Sequence, residues 1–362
     1  MPAEWEPHSA TWLAWPHNPQ DWPGKFQSIP WLYAEIVRLL AAREGIELIV
    51  EDAKAEQRIT SMLRRACATL DRVRFHQWPT DRGWTRDSGP IFVRNAQGQI
   101  AITNWRFNGW AKYPDWPLDD QLPGRIAALL GLPEWQPSID FPGREPREYR
   151  FVLEGGSIDV NGVGSLLTTE ECLLSDVQQR NPGITREQLE RAFHDYLGVD
   201  HVLWLNRGIA GDDTHGHIDD IARFAAPGTI IAAVESDTSD PNHAPLAENL
   251  QRLKSARTPA GKQFTVVELP MPRPIIFRNQ RVPSSYANFY LANGLVLIPT
   301  FHDRNDRAAL NILAEVFPHR DVIGVHSVDL IWGLGALHCM TQQQPEGDKS
   351  AKMLESEEVR CP

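Results

Sequence analysis

Cysteine is scarce in this 362-residue chain: Cys67, Cys172, Cys339 and Cys361 are scattered, and no two form a CxxC pair. That spacing offers neither a disulfide framework nor a zinc knuckle. Long apolar runs are missing as well. No stretch reaches the roughly 18 residues needed to cross a bilayer. The opening Met1-Pro2-Ala3-Glu4-Trp5-Glu6 has no basic region followed by an apolar core. A cytoplasmic protein with no membrane partner is expected. Positive charge is in deficit, 36 Lys and Arg against 47 Asp and Glu, a net −11. Nucleic-acid affinity rests on Lys and Arg neutralising phosphates, so no nucleic-acid partner is expected. A small cationic ligand suits this field better. Tryptophan and proline, by contrast, are plentiful at 13 and 28, often adjacent as in Trp15-Pro16 and Trp116-Pro117. They predict rigid, aromatic-walled loops.

One pattern recurs along the chain: two short apolar strands joined by a turn, then an amphipathic helix and a further strand. Hairpins are expected over Ser88 to Thr103, Ser157 to Thr168, Ile218 to Val234 and Tyr286 to Pro299, with turns at Asn95-Ala96-Gln97-Gly98, Asn161-Gly162, Pro227-Gly228 and Asn293-Gly294. Helices follow near Asp119 to Leu130, Thr185 to Leu197, Leu246 to Ser255 and Asp306 to Phe317. A fifth unit is split between Ala10 to Val50, with a helix over Trp31 to Arg43, and a closing strand within Gly335 to Gln342. The repeat predicts an α/β fold of about five ββαβ blades in one domain over residues 1–345; an ordinary mixed sheet with hairpin insertions is the alternative. The polar stretch 346–362 is expected to be a frayed tail, with Cys361 incidental.

Polar residues recur at one place in the repeat, just before each hairpin. They are Trp84-Thr85-Arg86-Asp87, Glu154-Gly155-Gly156 and Thr214-His215-Gly216-His217-Ile218-Asp219-Asp220, with His338-Cys339 supplied by the closing strand. A thiol, a histidine and several carboxylates make a coherent set. The thiol is a nucleophile once deprotonated, and the histidine can carry protons for it. Convergent carboxylates are costly to bury without a cation, and a guanidinium fits them in bidentate pairs. Plainer roles compete. Arg86 and Asp87 could form a turn with an ion pair, Glu154 could be a loop carboxylate, and an isolated Cys is usually an inert core thiol, as Cys67 and Cys172 are expected to be. His338 is expected to be a hydrogen-bonded neighbour and Asn288 to serve its hairpin first. His215, His217 and Asp219 also match the H-x-H-x-D spacing of zinc hydrolases. A histidine usually follows that aspartate and Asp220 stands there instead; further ligands would have to come from His243, His302 or His326.

These segments, with Pro2-Ala3-Glu4-Trp5-Glu6-Pro7-His8, Trp12-Leu13-Ala14-Trp15-Pro16, Tyr286-Ala287-Asn288-Phe289-Tyr290 and His338-Cys339-Met340-Thr341-Gln342-Gln343, resemble the agmatine deiminase and bacterial peptidyl-arginine deiminase family of the guanidine-modifying, or pentein, superfamily. The resemblance runs nearly end to end. It implies a five-bladed ββαβ propeller and hydrolysis of a guanidinium to a ureido group and ammonia, with no metal or organic cofactor. It also implies roles: Cys339 as nucleophile, His217 as acid and then base, Asp87 and Asp219 gripping the guanidinium, and Glu154 orienting His217. Trp84, Trp110, Trp116 and Asn288 are candidates for contact with the substrate.

The sequence departs from the family at Gly109-Trp110-Ala111-Lys112-Tyr113-Pro114-Asp115-Trp116, where an Ala-Trp-Gly-Gly run is usual, and at the thinned Gly333-Leu334-Gly335-Ala336-Leu337. Recognition of the substrate's tail is expected to reside there. Agmatine is the first expectation. Peptidyl or free arginine is the alternative and would need a cation such as Arg106 or Lys112 for its carboxylate. A zinc hydrolase or a non-catalytic guanidine-binding protein are more distant possibilities, and the chain is open to homo-oligomerisation.

Overall fold

The computed structural model describes residues 1–138 and 150–347. The chain is mixed α/β, and one unit recurs in its sheets. An antiparallel hairpin is followed by a helix, and then by a strand that pairs parallel to the hairpin's second arm. The hairpin arms are Ile91–Arg94 with Ile100–Thr103, Asp159–Val160 with Ser165–Thr169, Ala222–Ala226 with Thr229–Val234, and Tyr290–Ala292 with Leu295–Thr300. Their parallel partners are Glu134–Trp135, His201–Leu205, Thr265–Pro270 and Asp321–His326. Helices Leu122–Leu130, Arg186–Leu197, His243–Ser255 and Asp306–Val316 make the crossovers. The second arm of each hairpin is the middle strand, covered on both faces, which is why Leu295–Thr300 reads as a nearly continuous apolar run; the outer Asp321–His326 keeps five of its six residues partly or fully exposed.

The fifth sheet joins distant parts of the chain. Gln342–Pro345 pairs antiparallel with His8–Ala14, which pairs parallel with Gly45–Val50 and, through it, with Val73–Gln77. Helices Ile29–Ala41 and Ala53–Arg65 cross between these strands, the first with Pro30 in its opening turn and the second capped by Asp52, whose side chain accepts from the Ala55 N–H. One expectation is corrected here and two elements are added. The closing strand is Gln342–Pro345 rather than Gly335 to Gln342, because residues before Gln342 bend around the site. The helix over residues 53–65 and the strand over 73–77 were not foreseen. A further two-stranded ribbon pairs Ile276–Phe277 with Gln280–Arg281.

The arrangement matters for function in one respect. Each polar segment singled out from the sequence leads directly into the first arm of a sheet: 85–88 into Ile91, 154–157 into Asp159, 217–220 into Ala222, 285–289 into Tyr290 and 338–341 into Gln342. The main apolar core, which includes Leu48, Tyr286, Leu297 and Met340, backs this cluster of strand entrances. Glu346 donates its N–H to the Pro7 carbonyl (2.8 Å), so the expected tail starts tied down; the rest of it, with Cys361, lies outside the described residues. No helix among the described residues is long and apolar enough to cross a membrane.

Candidate active site

Two segments make the floor. Cys339 precedes the Gln342–Pro345 strand, and Asp87 lies in the single helical turn Thr85–Ser88. Backbone and side chain tie them together: Arg86 N–H donates to the Cys339 carbonyl (3.1 Å) and Thr85 Oγ1 to the Met340 carbonyl (2.6 Å). Both Cys339 and Asp87 line a cavity of about 490 Å³, with Trp84 and Trp110 on its walls. Gly335 lies against this nucleophile turn. A Cβ there would sit 2.7 Å from the Trp84 ring and 3.1 Å from Cys339 Cβ, so no larger residue fits.

Behind the floor, His217 stands between two carboxylates. Its Nδ1 is 3.8 Å from Asp87 Oδ1 and its Nε2 is 3.8 Å from Glu154 Oε2, electrostatic contacts without a formed hydrogen bond. Close approach is possible because residue 156 is glycine: a Cβ would meet His217 Nδ1 at 2.6 Å. Burial opposes charge on His217, but Asp87 and Glu154 outweigh it and hold its pKa well above the usual imidazole range. Glu154 is in turn held by Arg180, whose Nε donates to Oε1 at 2.9 Å; burial would raise this carboxyl, yet Arg180 brings it down to about 2. Asp87 accepts from Trp110 Nε1 (2.9 Å) and the Gly156 N–H (3.1 Å). Burial and the neighbouring Asp219 and Glu154 charges still push it up to about 6.

Asp219 lies in the turn Ile218–Asp220, with Oδ2 3.7 Å from Cys339 Sγ and 2.7 Å from His338 Nδ1. The His338 contact outweighs burial and lowers its pKa. Its other oxygen, Oδ1, has no partner, and neither do Glu154 Oε2 and both ring nitrogens of His217. Burial, with Asp219, Asp220 and Asp87 around it, pushes the Cys339 thiol well above its ordinary value.

The structure thus brings together Cys339, His217, Glu154, Asp87 and Asp219. Asn288, in the segment that leads into its hairpin, reaches across to the turn that carries Cys339. Its Nδ2 donates to Cys339 Sγ (3.1 Å) and its Oδ1 accepts from the His338 N–H (3.0 Å), so it props the nucleophile turn. Trp116 is turned away from the cavity and lies under Arg106 at 5.1 Å. Lys112 is ion-paired with Asp213, which also accepts from Tyr113 Oη at 2.6 Å. The H-x-H-x-D trio does not converge among the described residues: His215 turns to Ser175 Oγ (3.2 Å) and His243 to the Glu235 carbonyl (2.7 Å). Sequence reasoning missed Arg180 and Glu4. Glu4 Oε2 lies 2.8 Å from His338 Nε2, 2.9 Å from Arg223 and 3.3 Å from Arg86, a buried knot directly behind the nucleophile turn.

A buried thiol, an imidazole and carboxylates with unmatched oxygens, carried on these repeated sheets, define an enzyme of the guanidine-modifying class. An amidinotransferase from Microseira wollei shares the fold, with a TM-score of 0.52 at 13% identity. Closer likeness is found elsewhere. An agmatine deiminase from Stutzerimonas stutzeri is 36% identical over 368 residues, covering 95% of each chain. The solved agmatine deiminase of Enterococcus faecalis superposes with a TM-score of 0.86 at 30% identity, covering 96% of this chain and 95% of that one. The model of the Porphyromonas-type peptidyl-arginine deiminases matches residues 1–345, and the chain belongs to that family.

Proposed function

We propose that this protein hydrolyses agmatine to N-carbamoylputrescine and ammonia through a covalent thiouronium on Cys339. The observation that carries the reading is the pair Asp87 and Asp219 beside a buried thiol, with Asp219 Oδ1 unmatched. A guanidinium bound there supplies the missing charge and favours the thiolate at the moment it is needed. The thiol proton leaves to solvent as the cation binds, and sulfur attacks the guanidinium carbon. The C–N bond breaks as His217 gives its proton to the departing ammonia. Water then attacks the thiouronium carbon while His217 takes up a proton, and the C–S bond breaks to release the ureido product. Glu154, anchored by Arg180, keeps His217 oriented and charged.

The cavity mouth supports an amine tail over a carboxylate tail. Asp21, Asp115 and Asp213 line it, and the cation among them, Arg82, already pairs with Asp21 (2.7 Å) and Asp115 (2.9 Å) and stacks on Tyr113 at 4.3 Å. Neither Arg106 nor Lys112 is presented to a substrate carboxylate. The five repeated sheets are, in this reading, the blades of a ββαβ propeller in a single domain, closed by the pairing of residues 8–14 with 342–345. Ureido-product formation from agmatine, free arginine and a blocked arginine peptide, with chelator present, tests the assignment. Agmatine is expected to lead in kcat/KM by on the order of 100-fold or more. Preference for either arginine form would reassign the substrate while leaving the chemistry.

A further inference from the structure

Cys172 has no part in that reaction, yet its thiol lies against the same imidazole. It sits in the short helix Glu170–Leu174, whose cap Thr169 accepts from the Cys172 N–H (3.1 Å) and donates through Oγ1 to the Gly216 carbonyl (2.6 Å). The helix is thereby locked to the loop that presents His217. One donor atom each from Glu154, Cys172 and His217 lies within 4.8 Å of the others, and all three residues are buried. Independently of the thiol, Glu154 Oε2 and both His217 ring nitrogens lack hydrogen-bond partners.

Thiolate, imidazole and carboxylate form the donor set that zinc takes, at about 2.3, 2.0 and 2.0–2.2 Å, with an open fourth position for water. Ligands at those lengths stand somewhat closer together than the present limit, so the three side chains must draw in by about 1 Å at most. Arg180 holds the far oxygen of Glu154 at 2.9 Å, the kind of outer support that steadies a ligating carboxylate.

We propose that Glu154, Cys172 and His217 form an inhibitory Zn²⁺ site. The ion takes one donor atom from each residue, and the thiol proton and one imidazolium proton of His217 leave to solvent. With one ring nitrogen on the ion, His217 can no longer become the imidazolium that protonates the departing ammonia, so turnover stops although Cys339 and Asp87 still face the cavity. Inhibition rests on the assignment of His217 as proton carrier; the site itself does not, so the test has two arms. In a full-length protein with Cys67, Cys339 and Cys361 changed to Ser, Cys172 is the single thiol. One equivalent of Co²⁺ is expected to give a thiolate-to-metal charge-transfer band in the near ultraviolet, and Cys172→Ala in that background to abolish it. No band, or a band that survives Cys172→Ala, overturns the site. In the otherwise unchanged enzyme, Cys172→Ala and Cys172→Ser are each expected to raise the Zn²⁺ concentration for half-inhibition at least tenfold, measured against the variant's own rate. Inhibition unchanged by either substitution would put the ion on Cys339 and sink the proposal. A cobalt band without zinc inhibition would leave a metal site and overturn its inhibitory role.

Discussion

Two buried charged clusters sit back to back across the nucleophile turn, and they are built on opposite terms. In the rear cluster the opposite charges lie within 3.3 Å of one another: Glu4 meets Arg223, Arg86 and His338, and Arg223 also meets Asp159 at 2.5 Å, whereas His217 in front stands 3.8 Å from its carboxylates. Arg223 and its neighbours outweigh burial and hold the Glu4 carboxyl well below the usual range. The front cluster leaves Asp219 Oδ1, Glu154 Oε2 and the His217 ring without partners, and burial lifts Asp87 to about 6. The rear gives rigidity. The front holds an unmet demand for positive charge, which is what a guanidinium brings.

Breaking the front should abolish turnover and spare the fold. Cys339→Ala is expected to reduce kcat by on the order of 10⁴-fold or more while agmatine still binds, read by calorimetric titration. Asp87→Asn should lower kcat/KM on the order of 100-fold, yet its melting temperature should stay level or rise. The sign follows from the shift. A carboxyl raised from 3.8 to about 6 carries a penalty for ionising that builds as pH rises through this window, and a neutral amide escapes it. A fall in melting temperature comparable to that of a rear-cluster variant would erase the distinction between the clusters.

Breaking the rear should do the reverse. Glu4→Gln leaves two arginines short of a partner and is expected to cost about 3–5 kcal/mol of stability, with a smaller loss in kcat. Chemical denaturation and steady-state kinetics on the same sample would compare the two. The wild-type kcat/KM profile should fall as pH drops through about 6, where Asp87 gains its proton and loses its grip on the cation. An acid limb at the ordinary aspartate value would mean that Asp87 is not the group being titrated. The smallest effect belongs to the mouth: Lys112→Ala frees Asp213 from an exposed ion pair, worth about 0–1 kcal/mol, and should lower KM for agmatine by at most about fivefold.

Much of the frame was legible because its signals are local. Asn161-Gly162 and Asn293-Gly294 turn where expected, with Gly162 at φ 72° and Gly294 at φ 68°. The polar segments converge because each stands at the same place in a repeated unit. The helix over residues 53–65 could have been found: Ala55, Ile59 and Leu63 line one face behind an Asp52 cap. Glu4 could not, since its partners Arg86 and His338 lie 82 and 334 residues away. Trp110 and Trp116 looked alike in sequence. What separates them is a left-handed run through Gly109, Trp110 and Ala111, at φ 64°, 57° and 54°, which no propensity of Trp or Ala announces.

The pairing of residues 342–345 with 8–14 also has a bearing on the chain's first minute of existence. The sheet that Cys339 leads into closes only when residues 8–14 meet residues 342–345, made some 330 residues later. At ribosomal speeds of about 5–20 residues per second, roughly 6–24 s separate the synthesis of Asp219, the last of the front carboxylates, from that of Cys339. On the proposed mechanism, a chain that stalls before residue 339 has the carboxylates without the thiol they surround and does not turn over.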